Sequence, residues 1–380
     1  MKNPICEMLG IDFPLVAFSH CRDVIASVSR AGGFGVLGVT AFSPDQLEME
    51  LKWIDDHIEG RPYGVDVLIP ENVSIKEEKG VTIGALAERV PQAHKDFVRN
   101  LLMKHDVEPP RLLEGGPLGR PDAQSSLQQD AALHLLEIAF RHPIKLIANA
   151  LGVPPQSMLD MGRAHGVPVA ALVGAKEHAV RQVQVGVDII VAQGGEAGGH
   201  TGEVSTLVLI PEVVRAIKPI RTVPVLAAGG IMTGRQMAAC MTLGAAGAWT
   251  GSVWLATTES ETTEIFRQKM IEARSRDTVR SKCRTGKYTR QLRSAWTDAW
   301  EGPDGIKALP MPLQSLISEP ALYAAQRAAE RGNAKARELV TYFVGQGVGL
   351  VDSVKSSRVV VREFMEEFAE ALADMQGFVP

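Results

Sequence analysis

Short, nearly continuous apolar runs alternate with amphipathic stretches from the N-terminus to about residue 255. That alternation is expected of βα units around a parallel sheet whose strands are covered on both faces. The pattern predicts strands at Leu15–Ser19, Gly35–Val39, Gly64–Ile69, Ile144–Ala148, Val169–Val173, Asp188–Ala192, Val223–Ala227 and Ala248–Ser252. Helices are expected at Pro44–Ile58, Leu127–Phe140, Pro155–Ala164, Lys176–Val185 and Gly234–Leu243. Gly32, Gly60, Gly166, Gly186 and Gly244 stand where a left-handed residue ends a helix. Eight strands with crossover helices point to an α/β fold of the (β/α)8 TIM barrel type, although an open eight-stranded sheet would share the pattern.

Two regions interrupt the rhythm. Residues 71–126 are polar, carry several Pro and Gly, and are too long for an ordinary βα loop. They read as an inserted segment or lid after strand three, with one helix near Ala85–Asp106. Beyond residue 256 the alternation stops. The basic stretch Arg267–Arg293 reads as a solvated face, and helices are expected at Glu319–Gly332, Ala334–Gln346 and Val351–Met375. The organisation expected is therefore a barrel from 1–70 and 127–260, the insertion at 71–126, and a mostly helical C-terminal addition at 261–380 that packs near the barrel mouth.

Composition narrows the function classes. The 380 residues carry 40 Lys+Arg against 44 Asp+Glu, a formal charge of −4, which speaks against a nucleic-acid binder. The four cysteines, Cys6, Cys21, Cys240 and Cys283, lie far apart with no CxxC pair. They predict neither a disulfide framework nor a thiolate metal site. The N-terminal segment has no secretory pattern and no run of about 18 apolar residues occurs, so a cytoplasmic protein without a membrane span is expected. A homodimer is left open.

Gly33, Gly35 and Gly38 match GxGxxG, but a helix precedes them and a strand follows, the reverse of a dinucleotide fingerprint. They are expected to pack a helix on the sheet. Strand seven ends in Gly229-Gly230, with Thr233 placed to cap the next helix, and strand eight ends in Trp249-Thr250-Gly251-Ser252. Loops after the last two strands of such barrels commonly hold phosphate, because glycine lets backbone N–H groups approach the oxygens. The densest glycine stretch, AQGGEAGGHTG at 192–202, follows strand six. Gln193 there can bond the edge of a polar heterocycle. His200 can exchange a proton near neutral pH, and Glu196 can either orient it or cap the loop. Ser19 and His20 follow strand one and face the mouth, although Ser19 can equally cap the next helix. Asp66 interrupts an apolar strand and needs a partner, for which a ligand N–H is one candidate. Cys21 has no evident base and is a poor nucleophile.

Together, QGGEAGGHTG, AAGGI at 227–231 and WTGS at 249–252 resemble the nitronate monooxygenase (2-nitropropane dioxygenase-like) family of FMN-dependent barrels, over roughly residues 10–300. The family is related to flavin-dependent enoyl-acyl-carrier-protein reductases. The resemblance implies FMN contacts at Gln193 and Gly198, phosphate contacts at Gly229, Gly230, Thr250, Gly251 and Ser252, and His200 as catalytic base. Gly199, Trp249, Ser19, His20 and Asp66 are counted among the cofactor-lining positions. TGKYTRQLRSAW at 285–296 resembles the family's post-barrel stretch loosely. Two departures stand out: the family's Gln-Ala-Pro-Met at the end of strand one is Ala17-Phe18-Ser19-His20, and its strand-three asparagine is Asp66. The activity implied is oxidation of a nitronate or nitroalkane by dioxygen to a carbonyl compound and nitrite. Alternatives are an NAD(P)H-dependent flavin reductase of quinones or enoyl thioesters, and a barrel that binds a phosphorylated metabolite without redox chemistry.

Overall fold

The computed structural model describes residues 2–39, 42–69, 81–110 and 129–377. Eleven strands occur among them. They are β1 (Leu15–Ser19), β2 (Phe34–Gly38), β3 (Tyr63–Val67), β4 (Leu146–Asn149), β5 (Val169–Val173), β6 (Ile189–Gln193), β7 (Gly199–His200), β8 (Val225–Ala228), β9 (Gly247–Thr250), β10 (Thr278–Ser281) and β11 (Thr289–Leu292). Eight of these, β1 to β6 with β8 and β9, close into a parallel barrel, with β9 pairing back onto β1. The fold is a (β/α)8 TIM barrel, and closure decides against the open sheet.

Alternation along each barrel strand sorts the side chains into two cores. On β3, Tyr63, Val65 and Val67 pack outward with the helices. On the neighbouring strands Val16, Phe34, Val36, Leu146, Ala148, Leu226 and Trp249 fill the interior. The N-terminal end is plugged by a helix the sequence pattern does not announce, Pro4–Leu9, whose Ile5, Cys6 and Leu9 join that interior cluster. Asn3 caps it: its Oδ1 accepts from Ile5 N at 2.9 Å, and its Nδ2 donates to Ala246 O at 2.8 Å just before β9. The five helix-ending glycines all take positive φ, from 65 to 106°. At Gly35 a Cβ would stand 2.7 Å from Ile25, so the helix Arg22–Arg30 does lie directly on β2.

The regions outside the barrel depart further from expectation. Of the excursion at 71–126, residues 71–80 and 111–126, and Leu127 beyond it, lie outside the described residues. The single helix expected near Ala85–Asp106 is two, Ile83–Glu88 and Gln92–Lys104, because Pro91 cannot continue a helix from the preceding turn. These helices share a second core with the post-barrel chain, in which Leu86, Leu102, Trp296, Trp300, Leu316 and Ala325 are buried together. The C-terminal helices run Leu313–Glu330, Ala334–Leu339 and Ser357–Gln376. The helix expected over Ala334–Gln346 stops at Leu339, and the chain continues as an extended tail through Gly345. The reading of Arg267–Arg293 as a solvated face needs correction. That stretch contains β10 and β11, which join β7 in a three-stranded sheet. It also carries the buried Arg284, held by Glu319 at 2.7 and 2.9 Å and lying over the rings of Tyr342 and Phe343. Charge periodicity could not reveal this, because the carboxylate partner lies 35 residues away. Among the described residues no helix is long and apolar enough to cross a membrane.

Candidate functional site

The loop after β6 is pressed flat against the start of the helix Thr206–Ile217. A Cβ at Gly194 would stand 2.2 Å from Thr206 Oγ1 and 2.4 Å from its backbone N, so no other residue fits. Glu196 completes the arrangement, its Oε2 accepting from Thr206 N at 2.8 Å and from Thr206 Oγ1 at 2.9 Å. A carboxylate at a helix N-terminus is favourable. Of its two candidate roles, Glu196 therefore takes the cap. The Thr206 hydroxyl also lies 2.9 Å from Gly229 O, which ties this loop to the end of β8. There Gln236 accepts from Met232 N at 2.8 Å and donates to Gly230 O at 3.0 Å, fixing the Gly229-Gly230 turn, while Thr233 caps the following helix as expected.

His200 sits in the two-residue strand β7, paired with Thr289 of β11. Its Nε2 lies 3.0 Å from Thr285 Oγ1, and its carbonyl accepts from Gln193 Nε2 at 3.0 Å. No described residue bonds its Nδ1. Burial, with the positive charge of Lys287 as a second cause, pushes the ring down to about 4, so it stands neutral at ordinary pH. Neither Thr285 nor Lys287 was singled out from sequence. The only signal was their place in TGKYTR, 85 residues beyond the histidine.

At the end of β9 the named residues separate. Thr250 turns away from the mouth, its Oγ1 donating to Val16 O and accepting from Trp254 Nε1, both at 3.0 Å. Its carbonyl also accepts from Trp254 Nε1, at 3.1 Å. Trp249 lies inside the barrel wall, its ring stacked at 6.2 Å on Phe18. Gly251 borders open space, since a Cβ there would meet nothing within 4 Å, and the same is true of Gly199. Ser252 Oγ accepts from Gly345 N at 2.9 Å, which leaves its hydrogen unspent among the described residues. Gly198 needs to be glycine for a reason the sequence concealed: its Cβ would stand 2.8 Å from Gly345 N. The extended tail thus crosses the ends of β6 and β9, anchored by Gln346 N donating to Glu196 O at 2.8 Å.

The opposite wall is formed by β1 to β3. Ser19 Oγ accepts from Cys21 N at 3.1 Å in the turn ahead of the helix Arg22–Arg30, whose first turn has no side-chain cap, so the capping role expected of Ser19 is not taken. His20 Nδ1 lies 2.7 Å from Gly38 O. Its ring is reachable by water yet enclosed by protein, and lost hydration lowers its pKa. Cys21 is buried, and burial raises its thiol, which removes it as a nucleophile. Asp66, aligned with Gly38 on β2 and Ala148 on β4, alternates with outward-facing Val65 and Val67 and so points into the barrel. It is 2% exposed, and neither carboxylate oxygen has a partner among the described residues.

A family model described as nitronate monooxygenase matches residues 3–367. A Mycobacterium tuberculosis protein named as a monooxygenase, Rv1533, is 50% identical across the full length of both chains. A Staphylococcus aureus protein named as a nitronate monooxygenase is 27% identical over 80% of this chain and 82% of its own. Among solved structures, a nitroalkane oxidase from Streptomyces ansochromogenes matches with a TM-score of 0.78 at 24% identity, over 98% of this chain and 99% of its own. FabK from Thermotoga maritima matches with 0.71 at 24%, over 100% of both chains. These two likenesses establish the shared barrel.

Proposed function

The chain belongs to the nitronate monooxygenase family, an enzyme family of oxidoreductases, and on that premise we propose that it is an FMN-dependent monooxygenase of alkyl nitronates or nitroalkanes. Dioxygen is the oxidant and oxygen donor, and the organic substrate leaves as a carbonyl compound and nitrite. The mouth fits a flat heterocycle with an anionic tail. Phe18 over Trp249 offers an aromatic surface, Asp66 is an unanswered polar group, and open space at Gly251 lies beside the Ser252 hydroxyl. Ser252 and the backbone of Gly229, Gly230 and Gly251 would hold the phosphate, with Gln193 and the β1–β3 wall beside the ring. A flavin held there supplies two-electron acceptance and reaction with dioxygen.

The observation that carries this reading is His200, whose Nε2 is fixed by Thr285 while Nδ1 stays open. Its ring is neutral above about pH 4, so it can take the α-proton of a nitroalkane directly. The ammonium of Lys287, close enough to depress the histidine, draws an anionic nitronate to the same place. His200→Asn should lower nitroalkane turnover by about 100-fold or more, the usual weight of a general base, with FMN still bound. The acid limb of kcat/KM should fall near pH 4. Unchanged turnover in the variant would remove His200 from the mechanism. The reductase reading is separated by anaerobic mixing with NADH or NADPH: rapid bleaching of the bound flavin would favour it.

A further inference from the structure

Most polar side chains at the mouth have an answering group among the described residues, but Asp66 does not. It is almost wholly enclosed, both of its oxygens lack partners among the described residues, and no cation acts on it. A lone carboxylate so placed is strongly disfavoured, whereas the neutral acid is tolerated. Burial accordingly pushes the carboxyl up to about 7, opposed only by the Ala150 amide, which lacks the geometry of a hydrogen bond. The described surroundings offer no partner. The inward positions of β2 and β4 are Phe34, Val36, Gly38, Leu146 and Ala148, with no titratable group among them. From β1, His20 is engaged with Gly38 O, and across the mouth stand His200 and Lys287. Gly38 keeps the space beside Asp66 for the rings of Phe18 and His20, since a Cβ there would stand 2.6 Å from the former and 2.8 Å from the latter. The neutral acid carries one O–H that the described residues leave unused.

We propose that Asp66 acts as a protonated acid, donating one hydrogen bond to an acceptor atom of the bound heterocycle, a ring nitrogen or carbonyl oxygen, so that this ligand is held only by the acid form. The inference rests on the flavin reading above. A ligand that accepts this proton favours the protonated carboxyl, so binding takes up a proton above pH 7 and weakens as pH rises through that value. The limit is about tenfold per pH unit.

The test is FMN binding to the flavin-stripped full-length protein, followed by flavin fluorescence between about pH 5.5 and 9. In the wild type, Kd should be level below pH 7 and rise up to about 100-fold by pH 9. Asp66→Asn keeps the shape and a permanent N–H donor. It should bind as the wild type does at pH 6 and stay level throughout. A level wild-type profile, an affinity that rises with pH, or the same slope in the variant would each overturn the proposal. If the variant fails to fold, infrared spectroscopy of the wild type decides: a protonated carboxyl band at pH 6 that vanishes by pH 9 supports the proposal, and its absence overturns it. Failure of FMN to bind at any pH would sink the flavin reading and this inference together, whereas bound FMN with a level profile sinks this inference alone.

Discussion

On the β6, β8 and β9 side of the mouth, polar groups answer one another: Glu196 meets Thr206, Gln236 meets Gly230, and Ser252 meets Gly345. On the β1 to β3 side, Asp66 is left with no partner among the described residues, beside a glycine and two aromatic rings. The first side is complete as protein, with its glycines spent on close approach between backbones and with backbone and one hydroxyl left to offer. The second side is left unsatisfied among the described residues. Buried polar groups in native folds are nearly always paired, so on the reading proposed above the unpaired wall is where a ligand's polar edge would belong, and the paired one is where rigidity is needed.

That contrast can be broken at three points. The largest effect is expected at Gly251, which borders open space. Gly251→Asp should weaken FMN by at least about 100-fold through like charge beside the phosphate, while Gly251→Ala leaves it bound and neither variant changes the melting temperature of the flavin-free protein. If the Asp variant retains FMN, the phosphate does not sit there. Next comes Gly194→Ala, where the added methyl would collide with Thr206. Overpacking of this kind costs about 1–3 kcal/mol, to be read from urea unfolding of the flavin-free protein. Unaltered stability would show that the loop is not locked. The smallest effect is at Thr285. Thr285→Val removes the hydroxyl beside His200 Nε2 and should lower kcat about tenfold, as loss of one hydrogen bond would, with FMN affinity unchanged. A larger drop in FMN affinity than in kcat would make Thr285 a cofactor contact instead.

Much of the framework was readable along the chain. β1 and β5 occupy the expected residues, and the remaining barrel strands differ from expectation by one or two residues at their ends. The glycine loop was legible as a special place, because five glycines in eleven residues suit neither a helix nor a strand interior. What each glycine does was not. Gly198 makes room for Gly345 and Gly194 for Thr206, and a close approach between segments far apart in sequence leaves no periodic trace in either. The resemblance implies a phosphate contact at Thr250, but not that its hydroxyl would bond Val16 and Trp254.

The hydrophobic pattern alone determined eight βα units, since strands buried on both faces must read as apolar runs and their crossover helices as amphipathic ones; their closure into a barrel was settled by the pairing of β9 with β1. The sequence also placed His200 in the glycine loop after strand six and Asp66 within strand three. Only the tertiary structure decided that β7 would be clamped by β11, that Glu196 would cap rather than orient, and that Asp66 would stand without a partner among the described residues. Hydrogen bonding depends on atoms brought within about 3 Å, and it is the fold, not the order of residues, that sets those distances.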